Sequence, residues 1–360
     1  AEQAGKQGRK SLGQAGKQGR FGKQPRQKQK GKRGGQNARR PQGDAVRDAA
    51  EVARREGEKG KKRGKDDRRK EGAAQRSGIR TGSHDKIYGK EGKNMKKKLG
   101  LALGAGGARG VAHVGFLHAL DEAGIRADCV TGCSMGSIVG ACYCAGVPMQ
   151  KVRSVVTELK LSRIASLNAN MLRACGLFRL NKARKLLEEY IGADTTFADL
   201  AVPFRCIATD LLSGKTVCLS EGNVIDAIIA SSSVPGAFSP VEREGMLLVD
   251  GGVIERVPVR EIKGMGAEVI VAVDVLGDLV TSVSKAPTNL IETFLRYIDV
   301  IDTRVTQSKR RSRMRDIDLW LEPELGDMDQ YKVKNLEFAC RKGYELGRAN
   351  VEKIKELIGE

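Results

Sequence analysis

Histidine is almost missing from this chain: among 360 residues it stands only at His84, His113 and His118. Any mechanism that needs an imidazole later in the chain is excluded by counting. Long apolar runs are missing as well. No stretch reaches the roughly 18 apolar residues of a membrane-spanning helix, and the N-terminal region has no apolar core of the kind a secretory signal carries. The eight cysteines stand at 129, 133, 142, 144, 175, 206, 218 and 340. No second pair at zinc-site spacing accompanies Cys142 and Cys144, so the thiols read as buried and reduced, in a cytoplasmic setting, rather than as zinc ligands.

Large apolar residues are scarce over residues 1–94, which are rich in Gly, Gln, Lys and Arg and repeat AGKQGR at 4–9 and 15–20. Such a composition cannot bury enough surface to offset its conformational entropy, which predicts a disordered tail. The tail holds 29 Lys+Arg against 11 Asp+Glu, a net charge of +18, and leaves only +2 for the other residues. Two readings stand for it. One is electrostatic attachment to nucleic acid or anionic lipid. The other is an extension, not native to the domain, with no functional part; Met95, followed by three lysines and the first strand, is placed as a natural start would be and favours this second reading.

From residue 99 the texture becomes that of an α/β domain, expected over 95–280 and followed by a mainly helical C-terminal extension over 281–360. Residues 99–103 (LGLAL) read as a strand, Gly104-Ala105-Gly106-Gly107-Ala108-Arg109-Gly110 as a glycine loop, and Val111, Val114, Phe116, Leu117 and Leu120 as the apolar face of a helix. The loop lacks the dinucleotide fingerprint, since Arg109 stands where the third glycine belongs, and no Gly-Lys-Ser/Thr makes it a P-loop. What remains is a row of backbone N–H groups at a helix start, suited to an oxyanion. Next, 127–131 reads as a strand, Gly132-Cys133-Ser134-Met135-Gly136 as a tight turn, and 137–146 as a small, apolar helix. The pattern G-x-S-x-G fits a nucleophile because the strained turn lifts the hydroxyl clear of the sheet.

Further on, 149–161 and 180–190 read as amphipathic helices, with 161–178 between them apolar enough to line a groove or form a lid. Strands are expected at 204–209, 216–219 and 246–249, a helix at 224–230, and an irregular connection at 231–240. The run EVIVAVDV at 268–275 is typical of a sheet covered on both faces, and its alternation with helices predicts a mostly parallel sheet. The C-terminal part reads as a helix over 289–306, a basic turn over 309–315 (KRRSRMR), a strand over 316–321 and a helix over 335–357. The basic turn suits a solvated loop or contact with an anionic lipid surface.

A serine hydroxyl needs a proton acceptor before it attacks. No histidine follows Ser134, and His113 and His118 lie in the helix after the glycine loop, where packing explains them. The acceptor must then be a carboxylate. Asp250, at the end of an apolar strand and before Gly251 and Gly252, is the best placed; Asp210 and Asp274, also near strand ends, are the rivals. The plain alternative is an Asp-Gly turn.

The three motifs in this order, G-x-G-G-x-R-G, G-x-S-x-G and D-G-G, resemble the bacterial patatin-like phospholipases, with Ala208-Thr209-Asp210 and the run Ala230-Ser231-Ser232-Ser233-Val234-Pro235-Gly236 as further family-like pieces. The resemblance covers about residues 97–280. It implies a three-layer α/β/α fold with a mostly parallel central sheet, a Ser–Asp dyad and no cofactor. Ser134 would be the nucleophile and Asp250 the general base. Gly106, Gly107 and Ala108 would hold the oxyanion, supported by Gly104, Arg109, Gly110, Gly132, Gly136, Gly251 and Gly252. Arg109 would fix the loop or meet an anionic head group. The substrate would be a lipid acyl ester: phospholipid, lysophospholipid or acylglycerol. Two alternatives stay open, a non-lipid esterase or thioesterase with the same dyad, and a catalytically silent domain whose tail binds nucleic acid or anionic membrane. Peripheral contact with a membrane is expected, and nucleic acid only through the tail.

Overall fold

The computed structural model describes residues 96–158, 160–167, 176–282 and 286–360. The basic tail and the middle of the expected groove or lid, 168–175, lie outside the described residues. In chain order the strands are β1 (Leu99–Leu103), β2 (Cys129–Cys133), β3 (Ser166–Leu167), β4 (Gly176–Arg179), β5 (Phe204–Asp210), β6 (Lys215–Leu219), β7 (Gly236–Phe238), β8 (Val241–Arg243), β9 (Met246–Asp250), β10 (Val269–Val273) and β11 (Leu319–Leu321). The helices of eight residues or more are α1 (Ala112–Glu122), α2 (Met135–Cys144), α3 (Met149–Val156), α4 (Asn181–Ile191), α5 (Val224–Ser231), α6 (Leu290–Ser312) and α7 (Leu336–Ile358). None of the described helices is long and apolar enough to cross a membrane.

The main sheet runs β11-β10-β1-β2-β5-β9-β8, with β6 paired to β5 off this path; β3, β4 and β7 form a small second sheet. From β11 to β5 every neighbour is parallel, and β6, β8 and β9 are antiparallel additions. The fold is therefore α/β with a mixed, mostly parallel sheet. Both faces are covered, as the continuous apolar strands require. On one face Leu99, Leu101, Leu103, Val269, Val271 and Val273 join the large core under α1, α2 and α7. On the other, smaller residues such as Ala102, Cys129 and Ala272 meet Val259 and Ile262 of a short helix.

One detail of register decides where the site forms. Along its length from Cys206 to Asp210, β5 pairs with β6, which occupies one edge. Its other edge is shared: β2 covers 204–207 in the parallel sense and β9 covers 208–210 in the antiparallel sense. The two strands run toward each other. Cys133 ends opposite Ile207 and Asp250 ends opposite Ala208, so the residues that leave the sheet at this point are drawn together.

Helix α7 closes the fold against α1 by backbone approach rather than side-chain interdigitation. A Cβ on Gly115 would overlap the Cys340 carbonyl, and one on Gly343 would overlap the Ala112 carbonyl. In an exposed helix Gly→Ala normally stabilises by about 1 kcal/mol. Here the sign should reverse: Gly343→Ala is expected to destabilise by about 1–3 kcal/mol through overpacking, read from the urea unfolding midpoint. An unchanged or raised midpoint would refute the close approach.

Candidate active site

The site begins with the last residue before α2. Strand β2 runs two residues past the sequence expectation, to Cys133, and Ser134 follows as the N-cap of α2 with φ 52 and ψ −123. That positive φ on a residue with a side chain is strained, at a cost of about 1–3 kcal/mol. The motif glycines supply space. A Cβ on Gly132 would lie 2.5 Å from the Ser137 Cα, and one on Gly136 would overlap the Leu103 carbonyl. The turn is held by polar contacts, with Ser134 N–H donating to Ser231 Oγ at 3.0 Å and Ser137 Oγ donating to the Ser134 carbonyl at 2.6 Å.

Asp250 ends β9 and caps the short turn after it. Its backbone N–H donates to the Ser233 carbonyl at 2.9 Å, and its Oδ1 accepts from Gly252 N–H at 2.8 Å. The Ser134 side chain lies near enough to favour the ionised carboxylate. Burial pushes the Asp250 carboxyl up to about 6, against the pull of the Ser134 side chain and the Gly252 hydrogen bond. Ser134 and Asp250 are 6% and 5% exposed, so the pair sits in a largely dry environment where a shared proton matters.

The rivals fall away on geometry. Asp210 caps its own turn, accepting from Ser213 Oγ at 2.6 Å and from the N–H groups of Leu212, Ser213 and Leu247, which together hold its carboxyl below the usual range. Asp274 is bound to the Arg256 guanidinium at 2.6 Å. His113 is fully buried, with Nε2 2.8 Å from the Gly104 carbonyl, and burial lowers its pKa to about 4. It is thus neutral, with Nε2 carrying the proton toward that carbonyl. His118 faces Glu122 and the Tyr344 ring. Cys133, 3.9 Å from Asp250 Oδ1, is held as the thiol by burial. Burial does the same for Cys142 and Cys144 on α2.

The glycine loop lies between β1 and a short turn of 3-10 helix over Gly107–Val111. Gly104 N–H donates to the Val273 carbonyl and Ala105 N–H to that of Arg256, both at 2.9 Å. Arg109, expected either to fix the loop or to face a head group, does the former. It is 4% exposed, and its guanidinium donates to the carbonyls of Val275 (2.9 Å), Gly326 (3.0 Å) and Met328 (3.1 Å). Of the three residues expected to hold the oxyanion, Ala108 donates its N–H to the Gln330 carbonyl at 3.0 Å, while the N–H groups of Gly106 and Gly107 make no backbone bond among the described residues. Gly107, at φ 50, carries the left-handed turn, and a Cβ there would overlap that same carbonyl.

Several residues that shape the site were not singled out for it by sequence reasoning. Ser231 and Ser233 were noted only as part of a family-like run, yet they hold Ser134 and Asp250. Arg256, with Asp274 and Asp302, supports the loop from below, and Gln330 covers it. Local spacing gives no signal for these last contacts, because each partner comes from a distant element.

Taken together, the fold and the contact between Ser134 and Asp250 define an α/β protein with a serine–carboxylate pair and no imidazole among its contacts. Residues 101–262 match the family described as patatin-like phospholipase, and the chain carries a domain of that family. An uncharacterized NTE family protein of Mycobacterium tuberculosis is 36% identical over 180 residues, 50% of this chain and 49% of the relative. The lysophospholipase nte1 of Aspergillus fumigatus is 34% identical over 190 residues, 50% of this chain and 12% of that protein. The chain thus spans about half the length of the first of these relatives and far less of the second. Among solved structures, VipD from Legionella pneumophila aligns with a TM-score of 0.42 at 13% identity, over 72% of this chain and 67% of that one.

The raised Asp250 carboxyl has a consequence for stability. Its pKa is about 6 in the folded chain against an ordinary 3.8, so the folded state favours the protonated form. The resulting stabilisation is full below about pH 4 and lost as pH rises through 6. Asp250→Asn removes the cost of ionisation. It is expected to be more stable than wild type at pH 8, by up to about 3 kcal/mol, and to lose that advantage near pH 4. Denaturant titrations at the two pH values read the difference, and equal gains at both would contradict a buried, ionising Asp250.

Proposed function

We propose that this chain hydrolyses fatty-acyl ester bonds of lipids through an acyl-Ser134 intermediate, with Asp250 as general base. The observation that carries the reading is that the register of β2 and β9 on β5 brings Ser134, at a strained strand-to-helix turn, to the buried Asp250 carboxylate, whose pKa the serine side chain helps to lower. The lysophospholipase relatives and the patatin-like domain favour a lipid ester over a soluble one.

In the first half-reaction Ser134 Oγ attacks the acyl carbonyl carbon while its proton passes to Asp250. The carbonyl oxygen becomes an oxyanion, met by the N–H groups of Gly106 and Gly107. Collapse breaks the ester C–O bond, and the proton returns from Asp250 to the departing alcohol or lysolipid. Water then attacks the acyl-serine, giving its proton to Asp250. The fatty acid leaves, and the proton goes back to Ser134 Oγ. Each preorganised oxyanion donor is worth about 10²- to 10³-fold in rate. A carboxylate base suits the arrangement because partial desolvation raises its affinity for the serine proton toward neutrality. Action on lipid brings the protein to a membrane surface as a peripheral visitor, with nucleic acid a partner only through the basic tail.

The test is intact mass after treatment with a serine-directed fluorophosphonate. Wild type should gain one adduct, Ser134→Ala none, and Asp250→Asn should react at least about 10²-fold more slowly. The wild-type rate should rise with pH, with a midpoint near 6, as Asp250 ionises. A correctly folded wild type without an adduct would overturn the assignment. Preference for short, soluble acyl esters over long chains would move the substrate to the non-lipid class.

A further inference from the structure

Helix α6 is amphipathic in the reverse sense. Its polar side faces the protein. Arg296 donates to the carbonyls of Leu279 (2.7 Å) and Val280 (2.9 Å), and Asp299 accepts from Gln330 Nε2 and the Tyr331 hydroxyl, both at 2.8 Å. Asp302 binds Arg256 at 2.7 Å, Thr303 is fully buried, Lys309 pairs with Glu255 and Arg310 with Glu322. The apolar side faces out. Leu290, Phe294, Tyr297, Ile298 and Ile301 recur at helical spacing and are 84%, 57%, 58%, 41% and 40% exposed. They make a continuous stripe about 17 Å long at 1.5 Å per residue. A surface helix ordinarily turns such a stripe inward, and a contiguous outward one marks an interaction face.

We propose that this face of α6 docks the protein on an anionic lipid bilayer, with the five apolar side chains entering the interface and the arginines that follow meeting the head groups. The purpose of the contact rests on the lipid-ester reading above. The occupant is argued from the order of side chains along the stripe. Beyond Ile301 the same face continues with the exposed Arg304 and Arg311, and just past the helix come the exposed Met314 and Arg315. Helix pairing with a second copy of the chain offers the arginines no anionic partner. An antiparallel pair in full overlap would set apolar side chains against arginines, a parallel pair would set arginines against arginines, and an antiparallel pair centred on the stripe would leave Arg304 and Arg311 with no anionic partner. A bilayer offers an apolar layer under an anionic one, which both halves match at once, and aromatic side chains such as Phe294 and Tyr297 suit its boundary. The first 94 residues hold few large apolar side chains with which to cover the stripe.

The placement also fits the chemistry. Through Asp302 the inner side of α6 holds Arg256, whose carbonyl anchors Ala105 of the glycine loop. Through Asp299 it holds Gln330, whose carbonyl takes the Ala108 N–H. Docking by the outer side thus sets lipid against the same helix whose inner side holds the supports of the glycine loop.

The experiment is vesicle flotation of the full chain, using phosphatidylcholine vesicles with a minority of phosphatidylglycerol, in salt high enough to screen the basic tail. The combined variant Phe294→Ser, Tyr297→Ser, Ile301→Ser should partition at least about tenfold more weakly than wild type, while hydrolysis of a monomeric short-chain ester is unchanged. Fluorescence of Phe294→Trp, above the Trp320 background, should be quenched by brominated lipids. Equal partitioning of wild type and the combined variant would overturn the proposal. So would a wild-type dimer that the combined variant dissolves without losing vesicle binding. The two readings fail separately. A wild type that cleaves the soluble ester but ignores vesicles refutes docking alone. Vesicle binding that needs the stripe, in both wild type and Ser134→Ala with no ester cleaved by either, refutes the catalytic reading alone.

Discussion

The meeting of β2 and β9 on one edge of β5 is the constraint from which the site follows. A parallel strand in the position of β9 would have presented its N-terminus to the end of β2 and carried its C-terminal residue away. Because β9 runs antiparallel, Asp250 arrives at the same point as Ser134 from the opposite direction, and the two side chains need no long loop to find each other. The strained backbone at Ser134 then has a structural reason. The chain must leave β2 and enter α2 within one residue if the hydroxyl is to stay beside the carboxylate. The Ser231 hydroxyl and the Ser137 side chain give that conformation its hydrogen bonds.

Two buried arginines hold the glycine loop around this pair. Arg109 reaches forward to the backbone at Val275, Gly326 and Met328, and Arg256 reaches to Asp274, Asp302 and the Gly277 carbonyl. Burial lowers the Arg109 pKa against the pull of Asp274, while both carboxylates next to Arg256 raise its own. Such a network contributes little net stability, since desolvating the charges offsets most of their attraction. What it contributes is position. The N–H donors proposed for the oxyanion are useful in proportion to how little they must move as charge develops, and a loop of glycines has no side chains with which to lock itself.

The motifs were legible because each is local. The elbow, the glycine loop and Asp-Gly-Gly are fixed by spacing along the chain, and so were β1, α1 and β10. The parts that stayed hidden are those set by pairing between distant segments. Periodicity over 127–131 could not say that β2 would extend to Cys133 and deliver Ser134 straight from the sheet. Ala108 looked equivalent to its neighbours until Gln330, far along the chain, took its N–H. The basic turn expected over 309–315 is in its first half the last turn of α6. Lys309 and Arg310 find Glu255, Glu322 and the Trp320 ring, and cations at a helix C-terminus are favoured by its dipole.

Helix α6 shows the limit of the method most sharply. Spacing tells which residues share a face, and the sequence expectation placed a helix over 289–306, but no spacing rule says which face turns inward. The usual assumption, apolar inward, fails here because the inner surface it meets is polar: the charged Arg256 and Glu255, and the donors of Gln330 and Tyr331. Asp299 and Asp302 satisfy donors that nothing apolar could satisfy, and burial raises the pKa of both carboxyls while those donors pull against it. Turning α6 over would take Asp302 from the buried Arg256 guanidinium and Asp299 from the Gln330 and Tyr331 donors together, at a cost of several kcal/mol. The electrostatics of the loop support therefore fix the rotation of α6, and its apolar stripe is directed outward as a consequence of how the glycine loop is held.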